Sequence, residues 1–161
     1  MILWETVVLG IHILGACIWV GGTFALGVVV TAHARTGPPG DPQISEQTGA
    51  LARALSWVMW PSLAVTILTG GLNLTWYLPP GDWAATPQGH WLMAKFLAVG
   101  LVLVTAGGHS FVVGPRVRRL RATGAPEESL RGIRRLNAIL GAASVVASAA
   151  VIFLAVVVAS Y

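Results

Sequence analysis

Residues 3–32 read LWETVVLGIHILGACIWVGGTFALGVVVTA. A run of this length with one acidic residue, Glu5, is long enough to cross a hydrocarbon core of ~30 Å as a single helix. Three further stretches, 51–78, 91–113 and 133–160, have the same character. Four spans leave little chain for anything else. The expectation is therefore an all-α integral membrane protein, an antiparallel four-helix bundle forming one transmembrane domain over 1–161.

Composition supports this reading. Of 161 residues 55% are hydrophobic and 10% charged, and the mean hydropathy is +0.75, whereas soluble domains carry about 25% charged residues. The connections are short and rich in breakers: Thr36-Gly37-Pro38-Pro39-Gly40-Asp41-Pro42, Pro79-Pro80-Gly81-Asp82 and Gly124-Ala125-Pro126. Short links imply antiparallel neighbours. Glu127-Glu128 suit a helix N-terminus and place the start of the fourth helix inside the interface.

The net charge of +4 does not mark a nucleic-acid protein, because the charges follow the loops. Every arginine flanks the first or third connection: Arg35 and Arg53, then Arg116, Arg118, Arg119, Arg121, Arg131, Arg134 and Arg135. The positive-inside rule makes those loops cytoplasmic and puts both termini and the second loop outside. The protein is expected in an inner or plasma membrane, spanning it several times, with its basic loops against anionic headgroups. Leu14-Gly15-Ala16-Cys17 loosely resembles a lipoprotein processing box, but no basic residue precedes it and the apolar run continues past it, so it reads as a retained span. Cys17, the sole cysteine, has no partner for an internal disulfide.

An imidazole deep in a membrane helix is costly without a partner, which makes His12 the first candidate ligand, with a structural interhelical hydrogen bond as the other reading. At 100° per residue His12, Gly15, Ala16, Trp19 and Gly22 share one face, and the small residues beside the histidine predict a flat cavity suited to a planar ring. On the third helix Trp91, Lys95 and His109 cluster on one face. Counting from Glu5 and His90 as boundary marks, His12 lies about 10 Å and Lys95 about 8 Å deep, which matches them, while His109 at about 28 Å falls near Asn137 and His33 at the other end. A lysine at that depth also has the option of snorkelling to the interface.

The histidine pairs His12/His33 and His90/His109 admit a second arrangement, two bis-histidine haem sites. About 30 Å along each helix puts the outer members at the hydrocarbon edge. Copper is the rival metal, with Cys17, Met59 and Met93 as soft donors. His12 and Cys17 point to different faces, and no Met-x-x-Met or Cys-x-x-Cys occurs. Pro61 should kink the second span. The small residues Gly141, Ala142, Ala143, Ser144, Ala147, Ser148, Ala149 and Ala150 read as a helix-packing face.

His12-Ile-Leu-Gly15-Ala-Cys-Ile-Trp19-Val-Gly21-Gly22, Thr69-Gly70, Trp91-Leu-Met-Ala-Lys95-Phe-Leu and Arg134-Arg135-Leu136-Asn137 together resemble the CopD-like membrane superfamily, which includes the copper-resistance D domain and the HemJ type of protoporphyrinogen oxidase. The resemblance implies a haem b site with its iron on His12, with Lys95 as a second essential group and Trp19 and Trp91 as flanking aromatics. Where HemJ-like enzymes carry Leu-Pro-Arg after the first-helix glycines, this chain reads Thr23-Phe-Ala-Leu-Gly27; where they carry an acidic residue and a proline after the asparagine, it reads Asn137-Ala-Ile-Leu140. The pattern is thus more CopD-like, and oxidoreductase activity stays an open expectation.

The leading expectation is a b-type haem protein with an electron-transfer or redox role, its cofactor bound by His12, Gly15, Trp19, Gly22, Trp91, Lys95 and His109. The alternatives are copper transport or resistance, and a small subunit of a larger respiratory complex docked through the last helix. Expected partners are the lipid bilayer, a redox protein or a quinone- or porphyrin-like molecule, and further copies or subunits, with no nucleic acid.

Overall fold

The computed structural model describes residues 2–36, 42–78 and 81–160. Helix α1 covers Ile2–Thr36 and α2 Pro42–Tyr77; a 3₁₀ turn at Trp83–Ala85 leads into α3, Pro87–Gly107; a π-helical segment, Gly108–Val113, passes into α4, Gly114–Ala122; and α5 covers Glu127–Ala159. The chain is all-α among its described residues, and four helical stretches are long and apolar enough to span a membrane: Leu3–His33, Glu46–Trp76, Pro87–Ala122 and Glu128–Ala159.

The helices run past the hydrophobic limits expected of them. Residues 42–50 continue α2 at its N-terminus, and Arg116–Arg121 belong to α4 rather than to a loop. Backbone hydrogen bonding persists into the headgroup zone wherever no breaker stops it, and arginine is a good helix former. Pro61 lies inside an unbroken α2. The breakers at 37–41 and at Pro79-Pro80 lie outside the described residues. Glu127 does begin α5.

Chain ends are set by local chemistry. Thr86 caps α3, its hydroxyl oxygen accepting from the Gly89 amide at 3.0 Å with Pro87 in the first turn. Past α4, Gly124 turns left-handed at φ +65°, and the Ala125 amide reaches back to the Leu120 carbonyl at 3.0 Å. That is a Schellman ending, which glycine makes without strain.

Two compact units result, residues 1–81 and 82–161, each built on a helical hairpin. In the first, α1 packs on α2; in the second, α3 and its π segment pack on α5. The interface of the second hairpin has a cluster of small and polar residues at its centre. Ser144, Ala147 and Ser148 of α5 are buried, as are Val102, Thr105 and Ala106 of α3. Small side chains let two backbones approach, and close packing replaces the hydrophobic drive that lipid cannot supply. The packing reading of the last helix therefore holds for Ser144, Ala147 and Ser148, while Ala142 and Ala149 are exposed. That same face is spent inside its own hairpin, which removes its core, Ser144, Ala147 and Ser148, as the docking surface for a larger complex. Leucines, valines and aromatics cover the outside, among them Leu97, Val104, Phe111, Val146 and Phe153.

Candidate functional site

Within the first hairpin, α1 meets α2 along Gly15, Trp19 and Gly22. A Cβ on Gly15 would stand 2.5 Å from Thr66 Oγ1 and 3.0 Å from the Ser62 carbonyl, and one on Gly22 would stand 2.9 Å from Met59 Sδ. Trp19 is 5% exposed and meets Trp60 edge to face, ring centroids 5.3 Å apart. On this side of His12 α2 approaches α1 closely, and beside the contact Ile11, Leu14, Gly15, Ile18, Pro61, Ser62 and Val65 line a shallow groove of about 200 Å³. Gly15, Trp19 and Gly22 all take part in the close approach of the two helices.

His12 itself, half-buried, turns toward α2. Its Nδ1 lies 2.8 Å from the Thr66 carbonyl and 3.2 Å from Thr69 Oγ1. A carbonyl only accepts, so Nδ1 carries the proton and donates; the Thr69 hydroxyl spends its own proton on the Val65 carbonyl at 2.6 Å and accepts here. In the neutral ring this fixes the lone pair on Nε2. The arrangement is the one that orients a histidine for metal ligation.

Glycine makes the contact possible. In an α-helix the carbonyl of residue i already takes the amide of i+4. A side chain reaching carbonyl 66 from outside therefore passes over residue 70. That residue is Gly70, where a Cβ would come within 3.0 Å of His12 Cε1.

The second hairpin repeats the relationship. His109 Nδ1 donates to the Asn137 carbonyl at 3.1 Å, and residue 141, four further on, is again glycine. Here a Cβ would lie 3.6 Å from His109 Cε1, an ordinary contact. His109 stands at the start of the π segment, whose widened turn is closed by the Gly114 amide bonding to the His109 carbonyl. Pro115, with no amide and a ring that crowds the carbonyl four residues back, accounts for the widening.

Two buried amides have unmet hydrogen-bonding atoms. Neither Nδ2 nor Oδ1 of Asn73, one turn beyond Gly70, has a partner, nor does Asn137 Oδ1. Unmet polar atoms in a membrane span cost several kcal/mol each.

His33 Nδ1 meets Thr48 Oγ1 at 2.9 Å, His90 is exposed, and in the second unit Lys95 is half-buried on α3 one turn after the exposed Trp91. His12 belongs to the first unit. Of the possible copper donors, Cys17 is exposed, Met93 is 49% exposed, and Met59 is buried against Gly22. Among the described residues no three His, Cys, Asp or Glu side chains group to hold a metal ion. Sequence reasoning missed Thr66, Gly70 and Gly141 as parts of the histidine sites. The signal available was the glycine four residues after the carbonyl, which periodicity alone does not single out.

The fold and these sites define a four-span membrane protein with a backbone-anchored histidine in each hairpin. Residues 49–158, about two thirds of the chain, match the family model for copper resistance protein D, and the chain belongs to that family. His109, Lys95 and Gly70 fall within the matched segment, while His12 precedes it. No curated protein and no solved structure matches the chain.

Proposed function

We propose that this copper resistance D family protein is a membrane haem protein with a redox role, ligating b-type haem through His12 Nε2. The observation that carries this is the 2.8 Å hydrogen bond from Nδ1 to the Thr66 carbonyl, which assigns the ring's tautomer and aim. One protein histidine suffices only for a metal that brings its other ligands, as haem iron does. The donor set supports that choice, since no three-residue cluster for a bare ion forms among the described residues.

His12 holds the ligand nitrogen, Thr66 and Thr69 hold the proton at Nδ1, and Gly70 leaves room for the ring. Haem b, when bound, supplies a one-electron iron couple. A carbonyl-bonded imidazole is a more basic ligand than one with an idle N–H, which favours the oxidised metal. The apolar outer surface keeps water from this depth of the hairpin.

Family membership favours a second reading, the handling of copper ions as cargo, with the exposed Cys17 and Met93 as transient soft contacts. Metal analysis of protein purified after growth with both haem precursor and copper separates the two. Iron with a Soret band that disappears in His12→Ala supports haem; copper bound without a Soret band, and lost in Cys17→Ser or Met93→Ala, replaces it with transport.

A further inference from the structure

The arginine-bearing end of the second hairpin contains a groove of about 550 Å³ between the end of the π segment with α4 and the start of α5. Its apolar wall includes Val112, Val113, Ile133 and Leu136, and its polar end Arg116 and Ser129. Gly132 opens it, since nothing lies within 4 Å of a Cβ built there.

Position identifies what meets such a groove. The apolar part of the third span ends at Val113, and Arg116 follows within one turn, about 5 Å further along the axis. The valines therefore sit at the hydrocarbon boundary and the guanidinium at headgroup depth. On α5 Leu136 and Ile133 mark the same boundary from the other side. Charge points the same way: seven arginines lie between residues 116 and 135, with only Glu127 and Glu128 to offset them.

We propose that this groove binds one anionic phospholipid, with an acyl chain against Val112, Val113, Ile133 and Leu136 and the phosphate on Arg116 and Ser129. Arginine's planar fork suits phosphate oxygens in pairs. A zwitterionic lipid has the same chain but carries its own cation, which the surrounding arginines repel. None of the residues lining the groove is a histidine, and the proposal does not depend on haem.

Native mass spectrometry of the whole chain, released from detergent containing phosphatidylglycerol or phosphatidylcholine, tests it. The wild type retains one phosphatidylglycerol in preference to phosphatidylcholine. Arg116→Gln weakens retention about fivefold, the value of one interfacial arginine. Gly132→Leu, which fills the groove without changing charge and improves helix propensity, weakens it as much or more. Arg118→Gln, with the same charge loss outside the groove lining, leaves retention near wild type, and added inorganic phosphate does not displace the lipid. Equal retention of the two lipids, an Arg118→Gln loss equal to that of Arg116→Gln, unchanged retention in Gly132→Leu, or displacement by inorganic phosphate each overturns the proposal.

Discussion

His12 donates from Nδ1 to the main-chain carbonyl of Thr66 at 2.8 Å across the first hairpin. A helix carbonyl that already serves its own i+4 amide accepts this second donor because residue 70 has no side chain. The same geometry at His109, Asn137 and Gly141 differs in tightness, and the difference is measurable.

Gly70→Ala brings a methyl group to 3.0 Å from the His12 ring, whereas Gly141→Ala brings one only to 3.6 Å from His109. The first should destabilise the detergent-solubilised protein by about 1–2 kcal/mol as the ring is pushed off the carbonyl, and the second by less than about 0.5 kcal/mol. Thermal unfolding followed by circular dichroism checks both; equal effects at the two sites count against the clearance argument.

Gly15→Ala is expected to be costlier still, because the methyl group meets both Thr66 Oγ1 and the backbone carbonyl of Ser62. A loss of about 1–3 kcal/mol should follow. Gly10→Ala, where the built Cβ meets nothing within 4 Å, should be neutral or slightly stabilising through helix propensity. Unfolding in graded denaturing detergent compares the pair.

Cys17 is exposed on the outer face of α1. A membrane-permeant maleimide should label it at one per chain in the folded protein, and Cys17→Ser should leave helicity and bound iron unchanged. Loss of iron in that variant would move the thiol into the site.

The arginine distribution predicts which way the chain threads. With Cys17→Ser as background, Thr123→Cys, in the exposed connection between α4 and α5, should react with an impermeant thiol reagent only when the cytoplasmic face is open. A cysteine introduced at Asp82 should react from outside.

Span number and helical class were readable from the chain, because nothing but a helix satisfies its own backbone through so long an apolar run. Helix limits were less readable: arginines and glutamates that mark the end of lipid do not mark the end of a helix, so α2, α4 and α5 reach beyond the apolar segments. That His12 would have a polar partner was legible from the cost of an imidazole in lipid. Its surroundings were not. Gly15 and Gly22 look alike as space for a ligand and as space for a neighbouring helix, and only the partner's position decides between them. The carbonyls of Thr66 and Asn137 have no side-chain signature at all, since every residue carries one. The depth-based pairing of His12 with Lys95 joins residues of two separate units.

The measurement that bears most directly on the haem proposal is the haem-to-protein ratio by pyridine haemochrome, in wild type and in His12→Ala matched for helicity. The account predicts haem b in the wild type with a Soret band that His12→Ala abolishes. A wild type without haem after expression with adequate supply, or a His12→Ala variant that keeps its full haem content and unchanged spectrum, would contradict it.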